Sequence, residues 1–187
     1  SSDFLRSSST FSTISTKTVT FSIIAKRKNG NTNFYVFGFD NNSTIYGLIN
    51  WYNGSVDLKN SSGTVIFSIG GIGGKFGTQT EGRFIQLDFS CDLSDTSKRH
   101  VIVDGEDLTS SVIFNTYTND NIAIQNAFFI AGFFTAGSSA TGGEVSRIWF
   151  DDSYKNLSSD NPFYDTSTGK AKDVGADGST PTGSSPL

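Results

Sequence analysis

Residues Gly82–Leu93 read GRFIQLDFSCDL. Ile85, Leu87, Phe89 and Cys91 fall on one side of an alternation, and Phe84, Gln86, Asp88 and Ser90 on the other. A period of two is the period of a β-strand, whose successive side chains point to opposite faces. One face is uniformly apolar and the other is polar apart from Phe84, which is the signature of a sandwich strand. The same grammar runs outward in both directions. TVTFSIIAKR from Thr18 sets Val19, Phe21 and Ile23 on one face. NFYVFGFD from Asn33, STIYGLINWY from Ser43, SVDLKN from Ser55 and GTVIFSI from Gly63 follow closely, with turns at Asn41-Asn42 and Asn53-Gly54. Asn-Gly between apolar runs is the strongest short-range hairpin signal.

Downstream, SKRHVIVDGEDLTSS from Ser97 predicts a strand, an Asp104-Gly105 turn suited to positive φ, and a short returning strand. IAIQNAFFIAGFFTAG from Ile122 is the most apolar stretch, and Ala131, Gly132, Ala136 and Gly137 break what would otherwise pass for a buried helix. Val145, Ile148, Trp149 and Phe150 suit a last core strand, which Asp151 and Asp152 end, since Asp is depleted in strands and favours turns. Short strands with turn signals and no crossover helices predict an all-β fold, an antiparallel two-sheet jelly-roll sandwich. Beyond Tyr164 the composition turns to Ser, Thr, Gly, Asp, Lys and Pro. Such a segment buries little apolar surface against an ordering entropy of roughly 1–2 kcal/mol per residue. The expected organisation is a sandwich domain over residues 1–164 and an extended polar tail over 165–187, shaped by a neighbour.

Composition agrees. The 187 residues include 17 Phe, no Met and only three Pro, and aromatics suit a pleated, half-buried surface. A net charge of −4 argues against a nucleic-acid partner, which calls for a basic stripe. Lys26, Arg27 and Lys28 form one small basic cluster, read most simply as a solvated strand end. No apolar run reaches the length of about 18 residues that a membrane helix needs. The single cysteine, Cys91, excludes an internal disulfide and reads as a small buried apolar residue.

The vocabulary of catalysis is thin. A Ser-His-Asp set would need the lone His100, and one histidine does not make a multi-histidine zinc site. Glu81, Glu106 and Glu144 are far apart in sequence, and no strand carries the paired carboxylates of a jelly-roll glycosidase. GGIGGKFG from Gly70 lacks the Lys-Ser/Thr ending of a phosphate loop and reads as a sandwich-edge loop. Two candidates for binding remain. Trp51 and Tyr52, just before the Asn53-Gly54 turn, are candidates for an exposed platform under a sugar ring, set against ordinary strand packing. Asp88, Asp92 and Asp95 span a strand end and its turn; they are candidate calcium ligands, set against simple turn formation.

Several segments together resemble the laminin-G-like, concanavalin-A-like sandwich domains of tailed-bacteriophage virion proteins. SSSTFSTISTKTVTFSIIAKR is similar to that family's opening polar run and first core strand, and FIQLDFSCDLSDTSKRHVIVDGEDL to its central strand, Asp-rich loop and V-D-G hairpin. GGEVSRIWFDDSYKNLSSDNPFYDTSTGKAKDVGADGSTPTGSSPL is similar to its last strand, Y-x-(D/N)-L-S turn and D-V-G-A-D-G-S-T-P-T-G tail. The likeness spans nearly the whole chain and is most specific in the tail. It implies a non-enzymatic virion structural protein, a capsid decoration or a tail or fibre module. The partners it implies are other virion proteins in a multi-copy or homo-oligomeric assembly. The alternative is a lectin-like, carbohydrate-binding module that attaches to a host glycan.

Overall fold

The computed structural model describes residues 5–6, 14–28, 35–40, 45–51, 54–72, 75, 82–124, 127–130, 143–181 and 183. Its strands, in chain order, are β1 (Leu5–Arg6), β2 (Ile14–Thr16), β3 (Thr18–Arg27), β4 (Tyr35–Asp40), β5 (Ile45–Asn50), β6 (Ser55–Lys59), β7 (Val65–Gly70) and β8 (Phe84–Asp92). There follow β9 (Arg99–Val103), β10 (Glu106–Asp107), β11 (Ile113–Tyr117), β12 (Ile122–Ile124), β13 (Ala127–Ile130), β14 (Gly143–Asp151), β15 (Tyr164–Asp165) and β16 (Lys170–Ala171). A seven-stranded sheet runs β1-β13-β4-β5-β6-β7-β11, and a five-stranded sheet runs β10-β9-β8-β3-β14. Every pairing is antiparallel. The expected two-sheet jelly-roll sandwich with a polar C-terminal segment is the observed architecture. The break residues Ala131, Gly132, Ala136 and Gly137 lie outside the described residues, as do Asn41, Asn42 and Asn53.

The core follows from the alternation. Val19, Phe21, Ile23 and Ala25 of β3 and Ile85, Leu87, Phe89 and Cys91 of β8 face Val56, Leu58, Phe67 and Ile69 of the larger sheet in one apolar cluster. Phe21 sits at its centre, within ring contact of Phe37, Phe39, Phe89 and Phe150 at centroid separations of 4.8–6.4 Å. These offset and edge-on contacts are the geometries aromatic rings prefer. Cys91 is buried as expected, and the apolar surroundings push its thiol pKa up, so it is held as the neutral thiol.

Of the basic cluster, Lys28 is exposed, as a solvated strand end predicts, and the two residues before it depart from that reading. Arg27 is only 2% exposed, and Lys26 pairs with Glu144 at 2.9 Å while its ammonium lies 4.8 Å from the Phe84 ring centroid. The register explains it, since β3 is the inner strand between β8 and β14, and neighbours cover its end on both sides.

Alternation also understates burial on the outer face of the smaller sheet. Gln86, Asp88 and Ser90, the polar side of β8, are 4%, 0% and 0% exposed. After β14 the chain turns back across this face. Leu157 and Phe163 pack with Ile102 and Trp149 into a second apolar cluster, joined by Val174. The Trp149 and Phe163 ring centroids lie 4.7 Å apart. Trp149 Nε1 donates to the Gly178 carbonyl at 2.9 Å and Arg147 donates to the Lys172 carbonyl at 2.9 Å. The polar segment thus takes contacts from its own chain, and the hairpin β15–β16 straddles residues 164 and 165.

Candidate functional site

The register lines up Ile102, Asp88, Ser22 and Trp149 in one row across β9, β8, β3 and β14. Asp88 is the polar hub of that row. Its carboxylate accepts from Ser22 Oγ at 2.7 Å, from Gln86 Nε2 at 2.9 Å and from Asn161 Nδ2 at 2.7 Å. Burial raises its pKa, while these donors and the nearby Arg147 charge oppose the rise. Arg147 reaches the hub through Ser22, donating to its Oγ at 2.8 Å. Gln86 Nε2 also donates to the Phe163 carbonyl, and Phe163 N donates to Asn161 Oδ1, both at 2.9 Å. One row on, Thr20 and Ser90 hold the Ser153–Lys155 backbone through Thr20 Oγ1 to Ser153 O at 2.7 Å and Lys155 N to Ser90 Oγ at 3.0 Å. These bonds fix residues 153–163 on the sheet, and they position what lies beside them.

Beside them is a cavity of about 270 Å³, walled by Tyr164, Asn161, Asp160, Ser158, Asp107 and Lys172 among others. Tyr164 stands where it does because of the Asp104-Gly105 turn, whose φ values of 49° and 80° agree with the expected positive-φ hairpin. A Cβ on Gly105 would collide with the Tyr164 ring, so only glycine lets the ring lie against the turn. Burial, with the Asp104 and Asp88 charges, pushes the Tyr164 phenol pKa up, and it stays a neutral hydroxyl donor and acceptor. The three carboxylates at the rim have local partners. Asp107 accepts from Thr109 N at 2.9 Å and Asp160 pairs with Lys172 at 3.0 Å. Asp165 is held near a pKa of about 2 by hydrogen bonds from Ser167 and Thr168.

The candidates read from sequence fall elsewhere. Trp51 is 2% exposed and belongs to the sandwich core, so of the two readings set against each other it is the packing residue and not an exposed sugar platform. It follows directly on β5, whose inward side feeds the core. Tyr52 lies outside the described residues. Asp88, Asp92 and Asp95 are not gathered around a common point. Asp88 and Asp92 are four strand residues apart, roughly 13 Å, and Asp88 is sealed in its network. Asp92 caps its own turn, with Ser94 as its main hydrogen-bond donor, and Asp95 does the same with Ser97. Those bonds hold both carboxylates below the usual range. Among the described residues no group of three His, Cys, Asp or Glu side chains is placed to hold a metal ion. His100 is also structural, its Nε2 2.8 Å from the Tyr154 hydroxyl.

Sequence reading missed Tyr164, Asp160, Asn161 and Lys172 because they fall in irregular segments and a two-residue strand at the boundary with the tail, where no periodicity marks them. The one legible signal was Asp-Gly at 104–105, which fixes the wall that Tyr164 leans on.

No family model matches the chain. No curated protein matches it either. Solved structures do. A congerin II double mutant is 8% identical, with 80% of this chain and 100% of that one covered at a TM-score of 0.43. A Trypanosoma rangeli sialidase in complex with sialic acid is 13% identical, with 75% of this chain but only 22% of that one covered at a TM-score of 0.41.

Proposed function

We propose that this protein is a non-catalytic carbohydrate-binding module that takes a sugar ring in the cavity beside Tyr164. The observation that carries the reading is the lining of that cavity. An aromatic ring held by Gly105 sits beside hydroxyl, amide, carboxylate and ammonium groups. A sugar offers an apolar ring face with hydroxyls that both donate and accept, and such a wall complements both. The engagement of Asp107, Asp160 and Asp165 with local partners supports binding over acid–base chemistry. A glycan array probed with the full chain and with Tyr164→Ala tests it. Retention of a glycan class by the wild type and its loss in the variant are expected; retention of none, or equal retention by both, removes the reading.

A second reading concerns where the module works, and the tail resemblance favours it: a structural component of a tailed-phage virion, as a capsid decoration or a tail or fibre module. The two are compatible, because many copies in a symmetric particle turn weak sugar contacts into avidity. Mass spectrometry of purified particles is expected to find the chain at a copy number fixed by the particle's symmetry. Its absence there would leave only the sugar-binding reading.

A further inference from the structure

A second cavity, of about 280 Å³, shares Tyr164 with the first and is lined by Arg83, Phe84, Gln86, Asp104 and Ile24 among others. We propose that the two cavities are adjoining subsites of one track, and that the ligand is a neutral, linear oligosaccharide of at least two rings crossing Tyr164. The proposal rests on the sugar-binding reading of the first cavity.

Four observations carry it. Each cavity alone falls just under the roughly 300–1,000 Å³ of ordinary ligand sites, whereas the pair lies well within that range. Tyr164 lines both, so a ligand in one is in reach of the other. Phe84 is 42% exposed on the polar face of β8, the one aromatic ring among the large apolar side chains exposed in the described residues. Such a ring beside a cavity is a surface for the CH face of a sugar. Lastly, Gln86 borders the second cavity, and its Oε1 is buried with no hydrogen-bond partner among the described residues, although its Nε2 is fully engaged. A buried acceptor without a partner is costly, and a ligand hydroxyl satisfies it after a small shift of the amide. Charge selects the class. Arg83 and Asp104 pair at 3.1 Å, so the second cavity presents no net charge, and the first has a carboxylate-rich rim. An acidic sugar is disfavoured in the first and gains no net attraction in the second.

The test is calorimetric titration of the full chain with malto-, cello- and chito-oligosaccharides of one to four residues. In the series that binds, affinity should rise at least about tenfold from one ring to two and then level off. Phe84→Ala and, separately, Arg83→Ala should bring two-ring affinity down towards the one-ring value, with circular dichroism matching the wild type. Affinity independent of chain length, or two-ring binding untouched in both variants, overturns the second subsite and leaves the first cavity's role standing. No binding to any series, together with an empty glycan array, overturns the first-cavity reading and the track with it.

Discussion

Between Ile85 and Cys91 both faces of β8 are buried, and they are buried by different physics. Inward, Ile85, Leu87, Phe89 and Cys91 are at most 1% exposed against the apolar side chains of the opposing sheet. Outward, Gln86, Asp88 and Ser90 are at most 4% exposed beneath residues 153–163, and each of the three is hydrogen-bonded to that segment. The inner face depends on volume and is non-directional. The outer face depends on satisfied donors and acceptors, so it specifies one path for the covering chain. The alternation in a strand therefore reports which way a side chain points, not whether water reaches it. In this protein the outer face places the cavities, because the segment it pins down carries Asn161 and Tyr164.

The comparison is broken most severely by one substitution on each side. Phe89→Ala should cost about 3–5 kcal/mol, as expected for an aromatic ring removed from a close-packed core. Asp88→Ala should cost a similar amount, about 3–5 kcal/mol, because it strands the Ser22, Gln86 and Asn161 donors and leaves the Arg147 charge without its buried counterpart. Urea denaturation measures both. A loss below about 1 kcal/mol for Asp88→Ala would mean that the covering segment does not seal this face in solution.

Deleting residues 165–187 comes next. We propose that residues 1–164 still fold as a sandwich, destabilised by about 2–6 kcal/mol. That figure is the loss of the buried partners of Trp149 and Arg147 at about 1–3 kcal/mol each. Trp149 fluorescence should shift to the red as water reaches the indole. A cooperative melt that disappears altogether would mean that the segment is integral to the sandwich.

How much of this was legible depended on whether local sequence carried the information. The strands were legible because side-chain alternation is written locally, and the β3, β8 and β14 runs sit where their apolar spacing placed them. The Asp104-Gly105 turn was legible for the same reason. The second cluster was not, since Leu157, Phe163 and Val174 are isolated apolar residues among turn formers, and only the return of the chain across the sheet brings them to Trp149. Nor could Asp88 be told from Asp92 and Asp95. All three are aspartates in or just after one strand, but Asp88, at mid-strand, points under the covering segment and the others hold the turn that follows.

Gly105→Ala sharpens the link from turn to site. Its φ of 80° disfavours any side chain, and the added methyl meets Tyr164, so a loss of about 1–3 kcal/mol is expected. Glycan retention should fall with it, since Tyr164 must move. Unchanged retention would uncouple the turn from the cavity.

The smallest expected effect is a pH dependence at the far end of the covered face. His100 is 8% exposed, with its Nε2 against the Tyr154 hydroxyl at 2.8 Å. Burial lowers its pKa from the ordinary 6.5, and the Asp107 charge partly opposes that. Below pH 6.5 the unfolded chain binds a proton that the folded chain resists, so this residue's contribution to stability is lost as pH falls from 6.5 through the depressed value. Asp88, whose pKa is raised, works in the opposite direction, which makes the wild-type curve alone ambiguous. Because Asp88 is common to both proteins, the difference in Tm between wild type and His100→Gln isolates the imidazole. That difference should move against the wild type between pH 7.5 and 5.5. A flat difference would mean that the His100–Tyr154 contact is open to water, so the hydrogen-bonded cover would end nearer to Ser90, whereas the apolar face of β8 is sealed along its length.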